Sequence, residues 1–577
     1  MTAALAAVLE SLRSSAGPVR RSGLTGSLAE GLDSAAVNFA AIGGRVERRW
    51  FEALSQLQRC IRPLDSAGPE VLLEGGSHAG ALLESTGTVS AEVLTRFSPK
   101  AAHETLSLFV DNQRSDGLLP GEVSAEGPRY TQLLLGSPLA RSVLNHYRLN
   151  RDSATPDDDW LGTMYRAMSR YDAWISQHRN TRGTGAVEAF CAFDAGYDLS
   201  PRFWFVPEQC ANGDASQYDS ETPTLPYLSP DLTANIACQR EYLGRIARQI
   251  GQSHIPWVGK WSDSIDALFE HCFSPEDDFF YDLDVTGTAV RVQSDVLLRV
   301  VACEVGDEEL FDTVVERYLM NTSKFLAHYG FTSIALDDPR CDADSKRHPG
   351  MAAVSLLSLL RAPQAFEHRG RTAELALTAR PVFAALTAAE EFPQSVDPFS
   401  GEVGSGAVYS PSVLWYLDAL ERYFGILPVS GTKRSWAEED GEPGIWFTGL
   451  APTRSGAGHG KAAEAIAYAR TTHGRHYELA ADDEQVVTFQ NGSEHLKFPR
   501  GWRVETDAEG VPVAAVGVSP GAVSGHLHHR GKHLGLTLQP NERVELQWTA
   551  QTPSIVSRWR AGFTPPQTGP AGTAEKI

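Results

Sequence analysis

The sequence predicts a mainly helical chain with a β-sandwich near its C-terminal end, and three observations predict it. Four helix starts share one signature, Ser followed by Pro, at Ser98-Pro99, Ser137-Pro138, Ser229-Pro230 and Ser410-Pro411. Ser suits an N-cap, and Pro suits the first helical turn, where its missing N–H costs nothing. Apolar residues then recur at helical spacing, as in Leu232, Ile236, Leu243, Ile246 and Ile250, and again in Val413, Leu414, Leu417, Leu420 and Phe424. Near residue 476 the apolar period changes to two.

Taken in order, residues 1–70 predict an N-terminal extension packed on the helical body, with a helix through Arg48, Trp50, Phe51, Leu54 and Leu57. Residues 71–430 predict the helical body itself. The Ser-Pro helices stop near Gly117, Asn150, Gly251 and Gly425. Further helical patterns run over 161–178, 262–273, 291–304, 309–327, 350–361 and 371–388. With almost no strand pattern before residue 440, this is an all-α region. Residues 431–475, rich in Gly, Ser, Thr and charge, predict a linker. Short alternating runs at Gln485–Phe489, Trp502–Glu505, Val511–Val518, Leu534–Leu538 and Val544–Trp548, broken by turn dipeptides, predict a sandwich over 476–560. The Pro/Gly/Thr-rich 561–577 predicts a disordered tail.

At 577 residues the chain exceeds what one core normally supports, so more than one domain is expected. A net charge of −21 argues against nucleic acid and anionic membranes as partners, and no uncharged apolar run reaches membrane-spanning length. The seven cysteines include no Cys-x-x-Cys pair, and the first residues lack a basic leader. That pattern predicts reduced thiols in a cytoplasmic protein and lacks the usual zinc patterns.

The chemistry centres on Gly196-Tyr197-Asp198-Leu199-Ser200-Pro201-Arg202-Phe203, followed by Trp204 and an irregular stretch to Tyr227. One carboxylate, Asp198, stands between an aromatic residue and a Ser-Pro-Arg turn. A turn residue that satisfies its own backbone is one reading. A proton donor is the other: aromatic neighbours desolvate a carboxyl and favour its neutral form, provided Arg202 points elsewhere.

This segment resembles the Gly-Met/Trp-Asp-Asn-Ser-Pro-Arg-Phe signature of glycoside hydrolase family 63 and its trehalase-like relatives, departing from it at Leu199. Four more stretches resemble the family in its order. They are Gly80 to Pro99 with Gln113 to Pro120, Phe279 to Asp284, Gly330 to Pro339, and Gln394 to Gly401 with Tyr409 to Ser412. The resemblance implies an (α/α)6 toroid barrel with the C-terminal β-sandwich attached. It implies an inverting glycosidase acting on a small α-glucoside or related α-glycoside, a reaction that requires no metal or organic cofactor. Asp198 would be the general acid, and Glu84 would stand for a sugar-binding Asp. Gln113, Tyr197, Arg202, Phe203, Trp204 and Asp338 would bind the sugar.

Two departures keep alternatives open. A gapless match puts Gln394 where the family has its catalytic base, and an amide cannot take a proton from water; Glu391 is the nearest replacement, with Glu390 and Glu402 next. Lys346-Arg347-His348 replaces a Tyr-Trp-Arg-Gly-Pro segment. Those residues could hold phosphate for an inverting phosphorylase, which needs no protein base. Glu84 as base, and a sugar-binding protein without turnover, are the remaining readings.

Overall fold

The computed structural model describes residues 2–14, 23–66, 68–76, 78–151, 156–196, 200–342, 351–404, 407–431, 441–450, 463–549 and 552–568. Two short helices, α1 (Ala3–Arg13) and α2 (Gly26–Ser34), precede a series that alternates between two layers. The outer layer holds α3 (Val46–Cys60), α5 (Pro99–Asp111), α7 (Asp158–His178), α9 (Ile255–Cys272), α11 (Glu308–Val314) and α13 (Thr372–Ala388). The inner layer holds α4 (Ala91–Leu94), α6 (Leu139–Leu149), α8 (Pro230–Gln249), α10 (Val296–Val301), α12 (Leu356–His368) and α14 (Ser410–Phe424). Inner helices touch in chain order, α4 to α6 to α8 to α10 to α12 to α14, and α14 returns to touch α4.

Helix α8 shows what the inner layer demands. Its single apolar stripe predicts an amphipathic helix, yet its residues are buried all round from Pro230 to Ala247, because the ring lies on one side and α7 and α9 on the other. Several of its polar side chains are paired. Arg240 donates to Asp172 at 2.6 Å, and Gln239 accepts from the Ala140 amide at 2.8 Å.

The C-terminal region is two antiparallel sheets packed face to face. Its strands are β1 (Asn38–Ile42), β2 (Ile426–Val429), β3 (Gly444–Thr448), β4 (Ala465–Thr472), β5 (Arg475–Ala481), β6 (Gln485–Gln490), β7 (Ser493–Pro499), β8 (Trp502–Asp507), β9 (Pro512–Gly517), β10 (Val523–His529), β11 (Lys532–Leu538), β12 (Glu542–Trp548) and β13 (Pro553–Arg560). One sheet runs β1-β4-β5-β6-β7-β10-β11 and the other β2-β3-β8-β9-β12-β13. Phe447 from one meets Tyr477 and His495 from the other, with ring centroids 5.5 and 5.6 Å apart.

Three domain boundaries move. Residues 1–70 divide: α3 joins the helical body, whereas β1 pairs with β4, Phe39 opposite Tyr468. Leu5, Val8, Leu9 and Leu12 of α1 cover Ala40, Ala467 and Ala480 on that sheet. An alanine-rich sheet face leaves room for a helix at close range, which a reading of local period does not reveal. The expected linker, 431–475, contains β3 and β4. In the expected tail, Thr322 donates to the Gln567 carbonyl at 3.0 Å and Gln567 to that of Met320 at 2.7 Å, tying the chain back to the helices. Residues 569–577 lie outside the described residues.

Candidate active site

The starts of the inner helices meet in one buried polar network. Glu84, ahead of α4, accepts from Arg361 of α12 at 3.0 Å and from Arg299 of α10 at 3.3 Å. Arg361 also donates to Ser137, ahead of α6, at 3.1 Å. Arg299 pairs with Asp231 in the first turn of α8 at 3.2 Å. Ser358 of α12 donates to Asp295, just before α10, at 2.6 Å. Tyr409, just before α14, reaches the same network through Glu74.

The local sequence explains this convergence. The Ser-Pro pairs set the entry angle of α6 and α8, but the Ser137 and Ser229 side chains do not cap their own helices. Ser229 instead donates to Asp231 at 2.8 Å and accepts from Arg202 at 3.4 Å. Asp231 lies where the α8 dipole favours negative charge. Burial opposes its ionisation, yet Arg202 and Arg299 outweigh burial and hold its carboxyl well below the usual range. Asp282, the other partner of Arg202 at 2.7 Å, is pushed up by burial.

The network supports the backbone that leads into Asp198. Arg299 donates to the Ala195 carbonyl at 2.6 Å. Gly196, at φ 77°, lies so close to Glu84 that a Cβ would overlap its carboxylate oxygens. Only glycine offers both the left-handed conformation and the space. Asp194 fixes the preceding turn, accepting from the Leu133 and Phe190 amides at 2.8 and 2.7 Å and from Arg179 at 2.5 Å.

Glu74 is not singled out by the sequence. It is buried, and the hydroxyls of Ser85 and Tyr409 hydrogen-bond to it. Burial, helped by the nearby Glu84, pushes its carboxyl up to about 7. The nearby guanidiniums Arg202, Arg299 and Arg361 pair with Asp231, Asp282 and Glu84. Glu74 makes no ion pair of its own among the described residues, and the pull of Arg361 does not offset its burial. Its one sequence signal is an acid directly after the apolar Val71-Leu72-Leu73.

The other expected residues divide. Tyr197, Asp198, Lys346, Arg347 and His348 lie outside the described residues. Arg202 is buried between Asp231 and Asp282. Phe203 is buried and stacks on Tyr227 at 6.3 Å, so the exposed rings of this stretch are Trp204 at 48% and Phe205 at 77%. Gln113 is taken up structurally, donating to the Gly117 and Ala167 carbonyls at 2.7 and 2.9 Å. Asp338 accepts from Arg340 at 2.7 Å and closes its own turn. Gln394 comes to the mouth of the ring, its carbonyl accepting from the Leu356 amide at 3.1 Å and its side chain exposed. Glu391 is exposed as well, its carbonyl accepting from Arg49 at 2.6 Å.

The sequence profile of the mannosylglycerate hydrolase MGH1-like glycoside hydrolase domain matches residues 87–412. A glycoside hydrolase family 63 mannosylglycerate hydrolase from Thermus thermophilus, solved with glucose, aligns at 17% identity and TM-score 0.52, covering 63% of this chain and 99% of that one. Solved with Tris and D-glycerate, it aligns at 16% identity and TM-score 0.53, covering 64% and 99%. A family 78 rhamnosidase of Bacillus sp. GL1 aligns at 10% identity and TM-score 0.50, covering 77% of this chain and 40% of that one. No curated protein matches the chain. Among the described residues, no helix is long and apolar enough to cross a membrane.

Proposed function

The chain belongs to the mannosylglycerate hydrolase MGH1-like glycoside hydrolase family and is a glycosidase, and from that premise we propose that it hydrolyses a small α-glycoside with inversion on an (α/α)6 toroid. Closure of the inner-helix contacts from α14 back to α4 supports the toroid. The observation that carries the functional reading is the anchoring of Ala195 and Gly196 by Arg299 and Glu84. A proton donor works only when held within hydrogen-bond reach of the leaving oxygen, and the two described residues that lead into it, Ala195 and Gly196, rest on the network at the starts of the inner helices.

In this reading Asp198 protonates the departing glycosidic oxygen. Glu84, with one oxygen taken by two guanidiniums, supports the loop rather than activating water. Glu391 takes the proton from water that Gln394 orients; both side chains are exposed. Inversion requires about 6.5 to 9.5 Å between acid and base, leaving room for that water. Trp204 and Phe205 offer rings to the sugar faces. The name of the Thermus thermophilus relative makes mannosylglycerate the first substrate to try.

The test follows released sugar by NMR in phosphate-free buffer. The expected product is the inverted anomer, and Asp198→Asn is expected to lower kcat about 10³-fold with substrate binding kept. Retained configuration, or turnover that starts only when phosphate is added, would overturn the proposal.

A further inference from the structure

Cys191 and Cys210 bracket the segment that carries Asp198. Their Sγ atoms lie 3.5 Å apart, in a pocket closed by Phe190, Phe193 and Tyr218. A disulfide needs about 2.05 Å between sulfurs, so the bond requires these two to approach by about 1.5 Å.

A metal ion is the competing occupant, because Cys191, Asp194 and Cys210 present ligand atoms within 4.8 Å of one another. Two observations oppose it. Both Asp194 oxygens already accept from Arg179, at 2.5 and 3.0 Å. The same guanidinium reaches Cys210 Sγ at 3.5 Å. A divalent cation would sit against that fixed positive charge with one of its three ligands already taken, whereas a disulfide is neutral and needs neither oxygen of Asp194.

We propose that Cys191 and Cys210 form an oxidative modification site, in which a hydroperoxide converts the two thiols to a disulfide. Cys210, 4% exposed against 0% for Cys191, reacts first. Its sulfur takes one oxygen from hydrogen peroxide, giving a sulfenic acid and one water. Cys191 sulfur then attacks, the S–O bond breaks, and the hydroxyl leaves as a second water with the Cys191 proton. Burial and the neighbouring Cys210 hold the Cys191 thiol well above its ordinary pKa, so the second step is slow at neutral pH. Because the sulfurs already touch, the bond ties both ends of the segment with little displacement of the Asp194 turn. The expected result is a more stable chain with kcat within about twofold of the reduced form; only this last statement rests on the hydrolase reading.

The experiment treats the full chain with hydrogen peroxide, alkylates free thiols, and maps non-reduced peptides by mass spectrometry. A Cys191–Cys210 cross-link lighter by two hydrogens, with Tm raised by about 2 °C and restored by dithiothreitol, supports the proposal. Cys191→Ser and, separately, Cys210→Ala should each abolish both changes, and Cys341→Ser should abolish neither. Recovery of both residues as alkylated thiols or as separate sulfinic acids overturns it, as does stoichiometric zinc protecting them in the untreated chain. The cross-link is read without any activity assay, so an inactive enzyme and an absent disulfide are distinguishable failures.

Discussion

The two ends of the inner helices handle buried charge in opposite ways. At their N-terminal ends, guanidiniums and carboxylates pack against glycine backbone: Glu84 lies against Gly136 as well as Gly196. Towards their C-terminal ends, a cavity of about 540 Å³ separates the helices from the sheets, lined by Glu304, Asp418 and Arg422 from one side and Arg503 and Trp559 from the other. Helix dipoles account for part of the contrast. Asp231 stands in the first turn of α8. At helix C-terminal ends the carbonyls attract cations: that of Ala302, just past α10, accepts from Arg141 at 2.8 Å, and that of Arg96, just past α4, from Arg470 at 2.5 Å. The difference teaches that burying charge is not itself a mark of a reacting centre. One set converges on a single backbone segment, while the other joins two domains, as Arg503 does by reaching Glu367 at 3.1 Å.

Replacing a glycine at each end separates these roles most sharply. Gly196→Ala, at φ 77° with its Cβ in the Glu84 carboxylate, should lower kcat/KM by about 100-fold or more by displacing the acid. Gly370→Ala, at φ 69° with its Cβ 2.5 Å from the Trp559 ring, should lower Tm and leave kcat within about twofold. If both variants lose activity equally, the distinction between the ends fails.

Arginine removal is the next largest test. Arg299→Met leaves Asp231 and the Ala195 carbonyl short of a donor, so urea denaturation should show a loss of about 3 to 5 kcal/mol together with reduced kcat. Arg422→Met, which strips a partner from Asp418 and Glu367, should cost a similar amount of stability without changing kcat.

A pH series examines the charge balance itself. The Glu74 carboxyl is raised from 4.5 to about 7 in the folded chain. As pH rises through that window the unfolded chain releases this proton while the folded chain keeps it. The group therefore lowers stability between about pH 4.5 and 7, and the loss persists above 7. Glu74→Gln should gain on wild type by about 3 kcal/mol between pH 4.5 and pH 8, measured from denaturation midpoints. A constant difference would show that Glu74 ionises normally. The smallest effect is expected at Ser355, which accepts from the Ser358 amide at 3.3 Å at the start of α12. Ser355→Ala should cost about 1 kcal/mol with activity nearly unchanged.

Parts of this architecture are legible residue by residue. Ser229-Pro230 starts α8 and Gly425 follows α14, because starts and stops depend on a few neighbouring backbone groups. The hydroxyls of Ser137 and Ser229 read as caps and are not. Local pattern cannot reveal that an arginine from far along the chain, Arg361 or Arg202, competes for them. The histidine cluster shows the same limit: His526, His528 and His533 are exposed, whereas His529 is buried, its ring 3.0 Å from the His495 carbonyl. Around the site, the Gly196 to Phe203 segment can be found from its own residues. Glu74 cannot, since Ser85 and Tyr409 reach it from opposite ends of the helical region.

By itself, then, the sequence determined the helix and strand periods, the helix starts, the net negative charge and the segment bearing Asp198. Those follow from short-range sterics, side-chain polarity and summed charge. Closure of α14 onto α4, the pairing of β1 with β4, the balanced charges beneath Gly196 and the contact between Cys191 and Cys210 were decided only in three dimensions. Each depends on groups distant in the chain sharing a volume closed to water, where Coulomb interactions and close packing act with full strength.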